Sequence, residues 1–318
     1  MKRTMVAGVL VSALIVTVAQ SWTSRLTASD ASDQTGTMLD MTFPEFEAAV
    51  KRSDVMLLPI GAIEEHGPSL PLDTDAITAT GQFVEVQRYL RARGIETMVG
   101  PGLNIGLTSE NGDFGRNGTF VYPGSLTVRV DTFVALYVDV LRALHQNGLR
   151  RVFMFSGHGG GAQQRAVVRI ADEATRAIDG MTVYALVSSE NVTRIGLTTT
   201  SSVVTLENYR NFELLGKMLG IGTEAPVTTH ADGAETSLML FFKPGAVRRG
   251  YQKVPQSPTS AFLAAVNSGD RSRNPSGMGG FPMARASASV GSSILKYRTA
   301  LMGNAIARVL AQSGQAPR

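Results

Sequence analysis

The chain has 318 residues, of which 43% are hydrophobic and 18% are charged, a composition that excludes a disordered or fibrous protein. The formal net charge is +4 at pH 7, and the basic residues are scattered rather than clustered, so no nucleic-acid partner is indicated. Cysteine is absent, which excludes disulfides, thiolate zinc sites and a cysteine nucleophile. Any metal ion must therefore be bound by His, Asp or Glu side chains.

The amino-terminal segment has the pattern of a targeting signal. Lys2 and Arg3 precede an apolar run at residues 5–19, and Ala-Gln-Ser at 19–21 is typical of a signal-peptidase site. The alternative is an uncleaved membrane anchor, but the apolar run is shorter than the roughly 20 residues that span a bilayer.

We therefore predict a signal peptide over residues 1–21 and a flexible leader over 22–37. A single folded domain is predicted over 38–318, without a stable membrane span once the signal is cleaved. This organisation favours a periplasmic or secreted protein.

Beyond the leader, predicted helices alternate with buried strands. The helices are predicted at 42–51, 76–92, 130–147, 163–178, 205–219, 235–241 and 289–310, and the strands at 55–60, 96–99, 151–155 and 181–186. Thr42 and Asp75 are placed to be helix N-caps. A glycine-rich stretch at 103–125 predicts a long irregular loop. This order predicts a single-domain α/β fold, with a mostly parallel sheet covered by helices on both faces.

Metal-ligating side chains follow the first predicted strand. Glu64 and His66 are two residues apart, so in extended backbone they project to the same side. The Gly-Pro and Leu-Pro sequences at 67–68 and 70–71 predict turns that fold Asp75 back toward them. In open α/β sheets, sites form at the carboxyl ends of the strands, which is where this loop lies.

Two further histidines lie in glycine-containing loops. His158 follows the strand at 151–155, and His230 precedes a helix that contains Glu235. A lone histidine is more often a packed or exposed residue than a ligand, but three such loops in one chain favour a common site. His145 is the exception, because a position near a helix C-terminus is explained by the helix dipole and solvent. A phosphate site at the His158 loop is the weaker alternative, since the P-loop and dinucleotide spacings are absent.

These segments resemble the creatininase family. PIGAIEEHGP at 59–68, with Leu-Pro-Leu at 70–72 and Asp75, is similar to that family's Glu-x-His-Gly-Pro…Leu-Pro…Asp segment. SGHGG at 156–160 is similar to its Asn-Gly-His-Gly-Gly loop, and HADGAETS at 230–237 is similar to its His-Ala-Gly…Glu-Thr-Ser segment.

The resemblance implies an α/β sandwich, a homo-oligomer that in this family is often a hexamer, and hydrolysis of amide-type C–N bonds at a two-metal site containing Zn or Mn. The implied ligands are Glu64, His66, Asp75, His158 and Glu235. Asp75 would bridge the two ions, and Glu235 would complete the second site.

One position departs from creatininase itself, and it concerns the second metal. Creatininase carries a glutamate two residues beyond the loop histidine, where this chain has Gly160. In members of the family that carry glycines after the loop histidine, the residue that corresponds to Glu235 completes the second site. The resemblance also implies that His230 is the catalytic residue that shuttles a proton.

The implied chemistry is consistent with these residue types. Two divalent ions that share a carboxylate lower the pKa of a bridging water, so a hydroxide is available near neutral pH to attack a carbonyl carbon. A histidine such as His230 exchanges protons in the same pH range. The sequence contains neither Gly-x-Ser-x-Gly nor His-Glu-x-x-His, which disfavours serine-hydrolase and classical zinc-peptidase mechanisms.

We therefore predict an amidohydrolase that acts on a small molecule, such as a cyclic amide, a lactam or a small peptide-like amide. Trp22 is the only tryptophan and lies at the predicted signal junction, so no tryptophan is expected to line the pocket as tryptophans do in creatininase. Creatinine is accordingly not the expected substrate. The alternative is a non-catalytic periplasmic protein that uses the metal site to bind a ligand, and the retention of Asp75 and His230 argues against it.

Overall fold

The computed structural model describes residues 37–109, 121–221 and 230–313. The predicted signal peptide lies outside these residues, as does the predicted leader apart from Thr37. The hydroxyl of Thr37 accepts a hydrogen bond from the Leu39 N–H at 3.3 Å and caps a short 3-10 turn. Across the described ranges, no helix is both long enough and apolar enough to cross a membrane.

Helices and strands alternate through most of the chain. The helices are α1 (Phe43–Arg52), α2 (Thr74–Arg91), α3 (Val130–Gln146), α4 (Gly161–Ala177), α5 (Ser189–Arg194), α6 (Phe212–Met218), α7 (Gly233–Phe242), α8 (Thr259–Ser268) and α9 (Ala288–Gln312). The strands are β1 (Val55–Ile60), β2 (Met98–Val99), β3 (Arg151–Ser156), β4 (Thr182–Ser188) and β5 (Val203–Leu206).

The five strands form one sheet in the order β2-β1-β3-β4-β5. Every pair of neighbours is parallel. In the central pair, Ile60 at the end of β1 lies opposite Ser156 at the end of β3. The loops that follow these two strands therefore leave the sheet side by side.

The sheet separates two apolar layers. Met56, Leu58 and Ile60 of β1 pack with residues of α3 and α4, whereas Val55 and Leu57 pack with residues of α2 and α9. The alternation follows from the two-residue period of a strand. Because both faces are covered, all of β1 is buried, and the predicted α/β architecture with helices on both faces is confirmed.

The prediction of a helix at 205–219 was wrong. Residues Val203–Leu206 form the edge strand β5, and a turn separates this strand from the shorter helix α6. Asn208 in that turn has φ of 60°, a left-handed conformation that a helix cannot continue through. Asn211 then caps α6, since its side chain accepts a hydrogen bond from the Leu214 N–H at 2.9 Å.

Three smaller features also differ from the sequence prediction. The short helices α5 and α8 were not predicted. The N-cap of α2 is Asp73 rather than Asp75, which lies inside the first turn. The carboxylate of Asp75 is directed instead toward two histidines, as described below.

Candidate metal centre

The site lies at the carboxyl edge of the sheet, where the loops after β1 and β3 meet the amino-terminal ends of α2 and α7. The β1 loop is closed by a hydrogen bond from the Glu64 N–H to the Leu72 carbonyl at 3.0 Å. The start of α2 packs so closely on the β3 loop that a Cβ atom on Gly157 would lie 2.3 Å from the Asp75 carbonyl oxygen. Only glycine fits there, so this residue allows Asp75 and His158 to meet.

Asp75 lies between two histidines. Its Oδ1 is 3.5 Å from Nε2 of His66, and its Oδ2 is 3.5 Å from Nδ1 of His158. The two oxygens of one buried carboxylate thus face two separate nitrogen donors. This is the arrangement expected of a carboxylate that bridges two cations.

Glu64 makes a second connection in the same site. Its Oε2 lies 2.6 Å from Nδ1 of His158, and its Oε1 lies 4.0 Å from Nδ1 of His230. Glu64, Asp75 and His158 form one buried group with ligand atoms within 4.8 Å of one another, and Glu64, His66 and His230 form another.

Glu235 approaches from the first turn of α7. Its Oε2 is 3.8 Å from Nε2 of His66 and accepts a hydrogen bond from the Ala231 N–H at 2.7 Å. The Glu235 side chain is 24% exposed, so it forms part of the wall between the buried site and solvent. The structure therefore brings together all six residues that the sequence singled out.

Backbone carbonyls determine which nitrogen of two histidines carries a proton. Nδ1 of His66 lies 3.1 Å from the Glu64 carbonyl oxygen, and Nε2 of His230 lies 2.8 Å from the Glu65 carbonyl oxygen. A carbonyl only accepts hydrogen bonds, so each of these nitrogens is the donor. Nε2 of His66 and Nδ1 of His230 are consequently the atoms that face the site with a lone pair when the rings are neutral.

The carboxylates shift the pKa values of the histidines. Burial by itself would lower the pKa of His66, but the neighbouring negative charges, that of Asp75 first, outweigh it and raise that pKa to about 10. Burial acts in the same way on His230, and the neighbouring Glu64 leads the effects that raise its pKa to about 9. Without a bound cation, both imidazoles are therefore protonated at neutral pH.

The pKa values of the two buried carboxyl groups, Glu64 and Asp75, are shifted downward. Burial would raise the pKa of Glu64, but the charges of His158 and His230 hold it below its usual value. Burial is likewise outweighed at Asp75, where His66 and His158 hold the pKa of the carboxyl below its usual value. The site is thus built to hold buried negative charge.

Several polar atoms of this site have no hydrogen-bond partner within the described part of the chain. They include Oε1 of Glu64, Nε2 of His66 and Oδ2 of Asp75, all of them buried. An unpaired buried polar atom is costly. Cations bound in this site would satisfy them.

Sequence reasoning missed several residues that hold the site in place. Asp232 is fully buried and caps α7 by accepting hydrogen bonds from the N–H groups of Ala234 and Glu235 at 2.9 and 3.1 Å. The ring of Phe262 stacks on His230 with centroids 4.7 Å apart. An Asp before a helix is a recognisable cap, but nothing local to Phe262 indicates its contact with His230.

Two other acidic residues of the β1 loop behave differently from each other. Glu65 is buried, and its Oε1 lies 3.3 Å from Nε2 of His230. The side chain of Asp73 is 38% exposed and lies 4.0 Å from the Lys243 ammonium. Glu65 therefore supports the site from behind His230, whereas Asp73 points away from it.

The site opens into a cleft with a cavity volume of about 150 Å³. Glu64, Asp75, His158 and His230 lie at its base, and Glu235 lies on its wall. The creatinine amidohydrolase family model matches residues 39–306. The chain belongs to the creatininase family.

The curated relatives of this creatininase-family chain match it over part of their length. Creatinine amidohydrolase of Pseudomonas putida is 32% identical over 120 residues, which cover 37% of this chain and 43% of that protein. The mycofactocin precursor peptide peptidase of Mycobacterium tuberculosis is 32% identical over 122 residues, covering 36% and 45%. The 3-dehydro-scyllo-inosose hydrolase of Thermotoga maritima is 25% identical over 134 residues, covering 41% and 37%. The matched segments thus span less than half of these proteins.

Solved structures extend the likeness in fold over most of the chain. A crystal structure of creatinine amidohydrolase superposes with a TM-score of 0.62 and 24% identity, covering 87% of this chain and 98% of that one. Similar neighbours include a zinc form of a creatininase point variant and a manganese form of creatininase, with TM-scores of 0.62 and 0.61. At this level of identity, these structures establish the shared fold.

Proposed function

We propose that this protein is a metal-dependent amidohydrolase that breaks a C–N amide bond in a small cyclic amide, lactam or peptide-like amide. The observation that carries the proposal is the position of Asp75, whose two carboxylate oxygens face separate nitrogen donors in a buried site. Membership of the creatininase family and the unpaired ligand atoms support it.

The residues fit two divalent ions. Glu64, Asp75 and His158 would hold the first ion, and His66, Asp75 and Glu235 would hold the second. Nitrogen and carboxylate donors of this kind suit Zn and Mn, and creatininase structures with zinc and with manganese are among the neighbours. Two such ions would supply Lewis acidity toward the amide carbonyl and toward a water molecule.

The protein's own contribution to proton transfer is assigned to His230. Its Nε2 donates to the Glu65 carbonyl at 2.8 Å, which leaves Nδ1 to take up a proton on the site side and return it to the departing amide nitrogen. Phe262 covers one face of the imidazole and limits its rotation and its contact with water. His230 is thus the catalytic residue in this proposal.

Creatinine is not the proposed substrate. Trp22 is the only tryptophan of the chain, and it lies outside the described residues. The side chains that line the cleft include Tyr209, Phe262 and Arg210, together with aliphatic residues such as Leu238 and Val266.

The decisive experiment compares two aspartates at the start of α2, the N-cap Asp73 and Asp75 in the first turn. Asp75→Asn is expected to lose both bound metal, measured by elemental analysis, and hydrolysis of a panel of lactams, hydantoin-like rings, formamides and dipeptides. Asp73→Asn is the matched control and should retain both, because its carboxylate points away from the site. Full activity in metal-free protein would overturn the proposal. Stoichiometric metal without turnover of any panel member would favour the alternative, a ligand-binding protein.

We also propose that the protein is exported and assembles as a homo-oligomer. The basic residues and apolar run at 2–19 support export, and the family resemblance supports the assembly. Amino-terminal sequencing of protein recovered from the periplasm should begin near residue 22, and light scattering should give a multiple of the chain mass. An uncleaved cytoplasmic monomer would contradict both statements.

A further inference from the structure

Three arginines line the cleft beside the candidate metal centre. They are Arg194 at the end of α5, Arg210 after β5 and Arg298 in α9, and together they are called the arginine wall below. The metal-centre chemistry described above uses none of them. Three separate segments of the chain bring these guanidinium groups to one cleft.

Two of the arginines are held against the β3 loop. Nη2 of Arg194 donates to the Gly159 carbonyl at 2.7 Å and to Oδ1 of Asn191 at 3.1 Å. Nη1 of Arg210 donates to the same Asn191 oxygen at 3.2 Å. A Cβ atom on Gly159 would lie 3.3 Å from this Nη1 atom. Because Gly159 directly follows His158, both guanidinium groups lie beside a candidate metal ligand.

Arg298 completes the wall from α9. Its guanidinium carbon lies 4.5 Å from the centre of the Tyr209 ring, and Tyr209 is itself fixed by a hydrogen bond from its hydroxyl to Gln82 at 2.5 Å. Within the described residues, the buried Nε of Arg298 has no hydrogen-bond partner. A donor of this group is therefore left without an acceptor at the side of the cleft.

The arginines are close enough to influence one another. Burial, followed by the charges of Arg194 and Arg298, lowers the pKa of Arg210 below its usual value. Glu235 is the carboxylate that partly offsets this effect, and its Oε2 is also the oxygen that faces His66. A bound anion would offset the mutual repulsion of these like charges.

We infer that the arginine wall binds an oxyanion of the substrate, a carboxylate or a phosphate group located close to the amide that is cleaved. Guanidinium groups bind both oxyanions through paired, charge-assisted hydrogen bonds. A cavity volume of about 150 Å³ limits the ligand to a small molecule or the end of a peptide. This inference rests on the proposed function, since it names the class of amide that the same site accepts.

The test measures binding rather than turnover. Calorimetric titration of zinc-loaded protein compares N-acetylglycine with its neutral counterpart N-acetylglycinamide, and inorganic phosphate forms a third arm. The acid is expected to bind at least about tenfold more tightly than the amide, as a charge-assisted contact predicts. If phosphate binds more tightly than N-acetylglycine, the substrate is assigned a phosphate group. If phosphate binds more weakly, the substrate is assigned a carboxylate.

Variants separate the arginine wall from direct binding of the anion to zinc. Arg298→Met should bring the ratio of the two affinities close to one, and Arg298→Lys should recover part of it. Arg308→Met, an exposed position of the same helix, is the matched control and should keep the wild-type ratio. If Arg298→Met does not fold, Arg194→Met decides the question, because Arg194 is exposed.

The inference would be overturned if N-acetylglycine and N-acetylglycinamide bound with equal affinity and phosphate did not bind. It would also be overturned if Arg298→Met or Arg194→Met kept the wild-type preference for N-acetylglycine. A protein that prefers the acid but hydrolyses no amide would instead overturn only the proposed function. A protein that hydrolyses neutral amides without anion preference would overturn only this inference.

Discussion

Glu235 and His66 meet in the folded protein, with 3.8 Å between Oε2 of the glutamate and Nε2 of the histidine. Asp232 holds the start of α7 in place through hydrogen bonds to its N–H groups and to that of Phe281. The contact between Glu235 and His66 therefore depends on the buried helix N-cap Asp232. It places a carboxylate at the candidate site of the second ion.

Glu235→Gln is expected to lower the metal content from two ions per chain to one, because the amide is a much weaker ligand than the carboxylate. Elemental analysis after dialysis measures the change. Glu213→Gln, in an exposed carboxylate of α6 that pairs with Lys217, is the control and should keep two ions. Two ions retained by Glu235→Gln would remove this residue from the ligand set.

Gly160 has a specific steric role beside His158. A Cβ atom at this position would lie 2.2 Å from Nε2 of His158, so Gly160→Ala must displace the imidazole. We expect zinc affinity to fall by about 10- to 100-fold, the range seen when the support of a metal ligand is disturbed. Competition with a chromogenic chelator measures the affinity.

Gly245→Ala is the matched control for that experiment, since no atom lies within 4 Å of the added methyl group. A second variant, Gly160→Glu, introduces the residue that creatininase carries at this position. We expect it not to increase the zinc affinity of the second site. Unchanged zinc affinity in Gly160→Ala would show that His158 does not bind the ion in the observed orientation.

His230→Asn should separate proton transfer from metal binding. A general acid or base contributes typically 10²- to 10⁴-fold to a rate, so kcat is expected to fall by at least about 100-fold while zinc content stays at the wild-type level. His145→Asn, in the last turn of α3, should leave both unchanged. If His230→Asn instead loses metal, His230 is a ligand together with Glu64 and His66, as the second buried group allows.

The stability of metal-free protein should depend on pH in the range of the shifted histidines. The pKa of His66 is raised to about 10 and that of His230 to about 9. Their stabilising effect is complete below the unfolded value of about 6.5 and is lost as the pH rises through 9 to 10. The melting temperature in the presence of a chelator should therefore fall between pH 7 and pH 10.

Zinc-loaded protein provides the comparison, because metal ligation requires a neutral His66 and removes the contribution of this residue to the pH dependence. Its melting temperature should fall less over the same interval. If the melting temperatures of the metal-free and zinc-loaded proteins fell equally with pH, the histidines would not exchange protons for metal.

Local patterns were sufficient for much of the fold. The apolar runs of β1 and β3 indicated buried strands, and the alternation of strands with helices indicated a parallel sheet. Thr42 indicated the start of α1, where its N–H donates to the Glu45 carboxylate at 2.7 Å. Local patterns failed at residues 205–219. There Asn208 has a left-handed backbone conformation, which cannot form part of a right-handed helix.

Three of the four histidines were recognisable from the sequence because each of the three lies in a glycine-containing loop near a strand end or a helix start. The arginine wall was not, because Arg194, Arg210 and Arg298 carry no shared local signal. Their proximity results from the packing of α5, the β5 turn and α9 around one cleft. Contacts of this kind depend on the positions of whole elements.

The amino-acid sequence by itself determined the α/β class, the cysteine-free set of possible ligands and the identity of the six candidate site residues. The α/β class follows from the alternation of apolar strands and helices, and the set of possible ligands follows from composition. The six candidate residues follow from short motifs and from their resemblance to the creatininase family. Only the tertiary structure decided that Asp75 lies between His66 and His158 and that Oε2 of Glu235 comes within 3.8 Å of Nε2 of His66. The physical reason is that residues distant in sequence meet only where parallel strands end at one edge and helices pack over it.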